Sequence, residues 1–95
     1  MTPRQRELAR HALGLDGRRR RSYRNHYVCG AGTDEHAEWI QLLEAGLARR
    51  RTCVEAFGGM DKFSLTVTGA HQALEPRESL DPEDFPPAAI GIEGR

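Results

Sequence analysis

With 95 residues, 38% of them hydrophobic, and 14 basic side chains balanced by 14 acidic ones, the chain can support one small compact core. A domain this small buries a modest share of its surface, so a cavity for a drug-sized substrate would consume much of the core, and enzymatic activity is not expected. No stretch approaches the roughly 20 apolar residues of a membrane-spanning helix, and no apolar run follows the basic residues at the start, so no membrane contact, a cytoplasmic location and reduced thiols at Cys29 and Cys53 are expected.

The balanced charge hides a split. Residues 1–51 hold 11 Arg or Lys against 6 Asp or Glu, whereas residues 52–95 hold 3 against 8. Either a basic face that meets a polyanion or an acidic tail that folds back over it would account for this.

The opening "MTPRQRELARHALGLDG" predicts a helix over 3–13. Thr2 is placed to cap it, Pro3 fits the first helical position, Gln5 stands three residues after the cap, and Gly14 can take the left-handed conformation that closes the last turn. Leu8, Ala9, Ala12 and Leu13 share one face. Four consecutive arginines, Arg18 to Arg21, then lead into a segment in which Tyr23, Asn25 and Tyr27 alternate with Arg24 and His26, the pattern of a short half-buried strand running on to Val28.

A second helix comes after "GAG", capped by Thr33 or Asp34, with Asp34, Glu35 and Glu38 near the positive end of its dipole. Ala37, Ile40, Leu43 and Leu47 define its expected buried stripe, and Trp39 and Leu42 broaden it. Trp39 suits either the core or an interface anchor. Gly46 followed by Leu47 predicts a Schellman-type ending near Ala45. From Arg50 to Val67, "RTCVEAF" and "KFSLTV" flank "GGMD", which predicts a hairpin with Gly58 and Gly59 supplying positive φ angles and Phe63 and Leu65 on one buried face. Thr66 then caps a last helix through about Leu74, which Pro76 ends. The acidic, Pro-rich residues 76–95 read as an extended tail to a domain spanning 1–75. Within it Leu80 and Phe85 flank acids like a short docking segment, and Ile92, Glu93, Gly94 and Arg95 match a common processing-protease site, which either an expression scar or a native sequence would explain.

The run "WIQLLEAGLARRR", a hairpin and "FSLTVTGAHQAL" resemble the second half of winged-helix domains, where a helix ends in a Gly-Leu step, a two-stranded wing comes next, and an LTxxG segment, here Leu65 to Gly69, opens the closing helix. The resemblance covers about residues 37–74 and implies a small α+β winged-helix-like domain, ordered helix, short strand or loop, helix, hairpin, helix. It also implies that the helix before the wing, with Glu38, Gln41 or nearby Gln72, reads a DNA groove. This sequence departs from the pattern: that helix carries Asp34, Glu35, Glu38 and Glu44, which phosphate repels, and "RRRRSYRNHYVCGAG" stands where a helix-turn-helix partner would be. The layout is also similar to small phage and prophage proteins that pair "TPRQRELARHALGL" with "YRNHYV" and an "AGLARRR" step.

The residues that best support a function are therefore basic. Arg18, Arg19, Arg20, Arg21 and Arg24 can pair with phosphates, with Tyr23 and Tyr27 beside them able to stack on unpaired bases, unless the loop is only solvated. Arg49, Arg50 and Arg51, with Lys62 across the hairpin, either clamp a backbone or compensate the dipole at the end of the second helix. His26 and Cys29 form one HxxC pair, to which His36, Cys53 and His71 add no zinc-like spacing, so no metal is expected; no nucleophile has a base at a recognisable spacing, so no catalytic residue or cofactor is expected either. "GAG" could bind an anion but equally makes a turn. The leading expectation is a non-enzymatic phage or prophage accessory protein that binds nucleic acid through the arginine loop. The alternative is a protein-interaction module, a phage structural component or an inhibitor of a host protein, that uses Trp39, Glu38, Leu80 and Phe85. The oligomeric state is not legible.

Overall fold

A computed structural model describes residues 1–86 apart from the side chain of Cys53; residues 87–95, with Ile90 and the Ile92–Arg95 match, lie outside the described residues. The chain forms a small α+β domain with helices α1 (Pro3–Leu13), α2 (Asp34–Glu44) and α3 (Val67–Ala73) and strands β1 (Tyr27–Cys29), β2 (Ala48–Val54) and β3 (Met60–Leu65). The three strands make one antiparallel sheet in the order β1-β3-β2.

Local chemistry sets the ends of these elements. Thr2 accepts from the Gln5 backbone while the Gln5 side chain accepts from the Thr2 backbone, so two amides that a helix start leaves unpaired are satisfied reciprocally. Gly14 (φ 79°) and Gly46 (φ 78°) take the left-handed conformation after α1 and α2, and the next residue in each case, Leu15 or Leu47, returns its N–H to the carbonyl five residues earlier, Arg10 or Leu42. In the hairpin a single 3-10 turn, Glu55–Phe57, precedes Gly58 (φ 67°) and Gly59 (φ 83°).

One face of the sheet carries the core. Asp61, Phe63 and Leu65 of β3 are buried, and the intervening Lys62 and Ser64 therefore point to the opposite face. Trp39 of α2 lies fully buried and stacks on Phe63 with ring centroids 5.5 Å apart and 17° between planes, while Leu8, Leu13 and Leu42 fill the space between α1 and α2 and the sheet. Such an aromatic pair adds about 0.5–1.5 kcal/mol beyond the area it buries.

Two expectations about α2 and its exit change. The buried stripe is His36, Trp39 and Leu42; Ala37 is exposed, and Ile40, Leu43 and Leu47 are half-buried. An apolar pattern places Ala37 inside and His36 outside, but His36 is taken in because its Nε2 meets Asp61 Oδ2 at 2.7 Å, and a hydrogen-bonded imidazole is tolerated where a bare one is not. Arg49, Arg50 and Arg51 lie within β2, which starts at Ala48, and the last turn of α2 carries no basic residue, so dipole compensation does not account for them.

The acidic segment after Glu75 lies on the domain through its described part. Arg10 of α1 grips Glu78 with two bonds of 2.6 and 2.7 Å, and Leu80 and Phe85 pack against the core.

Candidate nucleic-acid interface

The arginine loop is built from its ends inward. After Gly14, buried Leu15 fixes the exit from α1, and Asp16 Oδ1 accepts from the backbone N–H of Arg18 at 3.0 Å and of Arg19 at 3.2 Å, a local turn that Gly17 (φ 90°) completes. Those backbone bonds, Arg18's foremost, hold the Asp16 carboxyl below the usual carboxylate range. At the far end Ser79 donates to the Arg20 carbonyl and accepts from the Ser22 N–H, a parallel bridge between residues 21 and 79, and buried Ser22 Oγ accepts from the Asp81 N–H at 2.8 Å. The acidic segment therefore holds the loop by its backbone. The side chains of Arg18, Arg19, Arg20 and Arg21 stay exposed, and among the described residues no ion pair engages them.

Tyr23 donates its backbone N–H to Leu13, and its ring lies so close over Gly14 that a Cβ there would overlap it. Tyr23 is 48% exposed, with the Arg19 guanidinium 4.3 Å and the Arg24 guanidinium 5.2 Å from its ring centroid. Arg24 is tethered, donating twice to the His11 carbonyl at the negative end of α1. Tyr27 is half-buried between His11 and Trp39, and burial raises its phenol above the ordinary value.

The second basic set is on the outer face of the sheet. Arg49 is opposite Ser64 and Arg51 opposite Lys62, so Arg49, Arg51 and Lys62 share the face that turns away from the core. Arg50 points to the other face, where its guanidinium lies 3.0 Å from the buried Asp61 carboxylate that also receives His36, and it is removed from the candidate interface. The strand alternation that presents Arg49 and Arg51 withdraws Arg50.

His26 joins the two sets. Its imidazole is held below its ordinary value by partial burial and then by the positive charges of Lys62 and Arg24, with Asp84 opposing, and it lines one cleft with Arg24 and with Val28, which lies opposite Lys62 in the sheet. Its HxxC spacing from Cys29 falls short of a zinc pattern. The signal for its place in the band is the alternation of Arg24, His26 and Val28 against Asn25 and Tyr27: the side chain of Asn25 turns inward and bridges the N–H and C=O of Leu65. The result is a band running from Arg18–Arg21 through Tyr23, Arg24 and His26 to Lys62, Arg51 and Arg49. At its sheet end a groove of about 610 Å³ opens between Arg49 and Ser64 on one side and Asp84, Phe85 and Pro86 on the other.

The residues expected to meet a protein partner are occupied within the fold. Trp39 is fully buried, which corrects its reading as an interface anchor; Glu38 and Gln41 both accept from the Gln5 amide; Leu80 and Phe85 are half-buried on the core. Cys29 is buried, with its thiol pushed up by that burial, and among the described residues no three His, Cys, Asp or Glu side chains are grouped to hold a metal. Among the described residues no helix is long and apolar enough to cross a membrane.

No family model, curated protein or solved structure matches this chain.

Proposed function

We propose that the protein binds the sugar-phosphate backbone of nucleic acid along the band formed by Arg18, Arg19, Arg20, Arg21, Arg24, Lys62, Arg51 and Arg49, as a non-enzymatic accessory protein of a phage or prophage with a winged-helix-like scaffold. The observation that carries the reading is the continuity of the band: Arg24, His26 and Val28 line one cleft, Val28 lies opposite Lys62 and Lys62 opposite Arg51, and the side chains of Arg18 to Arg21 make no ion pair among the described residues. Guanidinium groups left without a carboxylate and held on a backbone-anchored loop suit phosphate oxygens. The acidic α2 is on this reading a packing element rather than a groove reader. The protein-interaction alternative has less support, since Trp39, Glu38, Leu80 and Phe85 are engaged inside the domain.

Backbone binding releases counterions, so the test is affinity as a function of salt. A band that engages about five phosphates should give a slope of log K against log salt of roughly −3.5 on single strands and −4.5 on duplex. The full chain is the right material, because residues 78–81 hold the arginine loop in place. Absence of binding at low salt, or binding indifferent to salt, would overturn the proposal.

A further inference from the structure

We propose that Tyr23 is a stacking platform for one unpaired base, so that the ligand of the basic band is a single strand; this rests on the nucleic-acid reading above and specifies its substrate class. Tyr23 is 48% exposed, with the guanidinium groups of Arg19 and Arg24 over its ring. It is nevertheless positioned firmly, because its backbone N–H bonds to Leu13 and Gly14 leaves room beneath the ring that any side chain would fill.

What covers the ring differs in its freedom to leave. Arg24, 5.2 Å from the ring centroid, is anchored to the His11 carbonyl, whereas the Arg19 guanidinium, at 4.3 Å, is exposed and makes no ion pair among the described residues. An exposed cation–π contact is weaker than a base–aromatic stack. An arriving base therefore takes the place of Arg19 on the ring, and Arg19 swings onto the phosphate beside it. Arg18, Arg20 and Arg21 track the strand on either side, and Arg24 stays over the ring, 5.2 Å from its centroid and bonded to the His11 carbonyl. A duplex keeps its bases inside the stack and would have to flip one out to use the platform.

The experiment compares the unaltered full-length protein on three probes of equal phosphate count: a thymidine strand, an abasic strand and a duplex, monitored by fluorescence anisotropy at one salt concentration. The thymidine strand should bind about 5- to 150-fold more tightly than the abasic one, the span of a single base–aromatic stack. A uridine strand offers the same base face, so a comparable gain there would support the platform and extend it to RNA. Tyr23→Ala should abolish the gain and leave the salt slope unchanged, and Tyr23→Phe should retain it. Equal affinity for the thymidine and abasic strands, or a preference for duplex, overturns the platform while leaving backbone binding intact; binding of none of the probes overturns both.

Discussion

The carbonyl oxygen of Leu47 occupies the space that a side chain on residue 69 would need, so only glycine lets α3 cross the exit of α2 at this distance. The same carbonyl accepts from the Thr66 N–H at 3.1 Å, and Thr66 Oγ1 donates to Gly46 at 3.0 Å while accepting from Gly69. The Gly-Leu step and the LTxxG segment are thus the two halves of one joint. Gly69→Ala is expected to destabilise the domain by about 3 kcal/mol through this overlap, which lowers the melting temperature by roughly 12–24 °C for a domain of this size. A thermal melt that matched the unaltered protein would show that the joint can open without cost.

The Arg10–Glu78 pair ties α1 to the acidic segment, with both side chains largely buried. The hydrogen bond from Arg10 holds the Glu78 carboxyl below its ordinary 4.5. A carboxylate with a depressed value in the fold contributes stability that is complete above its unfolded value and disappears as pH falls through the folded one. Denaturant unfolding of Glu78→Gln should therefore show a loss of about 2 kcal/mol at neutral pH, and a smaller further loss than the unaltered protein as pH drops below 4.5.

His26 should make binding pH-dependent. Partial burial, Lys62 and Arg24 keep its value below the ordinary 6.5. A bound polyanion favours the protonated ring, so affinity should rise as pH falls through that region, roughly tenfold if binding moves the group by about one pKa unit. Titrations of His26→Gln across the same pH range should be flat, and a matching rise in that variant would assign the effect elsewhere.

Neighbouring arginines of β2 should behave differently. Arg51→Ala and Lys62→Ala each remove a backbone contact and should reduce the salt slope by about 0.7–0.9 with little effect on stability. Arg50→Ala leaves Asp61 with one fewer charged partner and should instead cost about 1–3 kcal/mol of folding stability with the slope intact. Parallel melts and salt titrations of the three variants separate the two kinds of role.

How much of the molecule is legible in its sequence depends on the range of the interactions. Both caps of α1, the Gly46–Leu47 ending and the Gly58–Gly59 turn depend on neighbours a few residues apart, and local sequence is enough to name them. The inward turn of His36 and Arg50 depends on Asp61, and the anchoring of residues 78–85 depends on Arg10 and Ser22. Those pairings join distant parts of the chain and leave no local pattern. The arginine loop is legible as charge, but its continuity with the sheet face requires the register that puts Tyr27 opposite Phe63 and Val28 opposite Lys62.

The bridge between residues 21 and 79 also bears on the order of assembly. Ser22 waits for a partner 59 positions further along, so this contact cannot form until that partner has been made. On a ribosome α1 and the arginines emerge early, yet the surface they present takes its final shape only after the segment around Ser79 has left the tunnel. A nascent chain halted before that point would display the same charges on an unfastened loop.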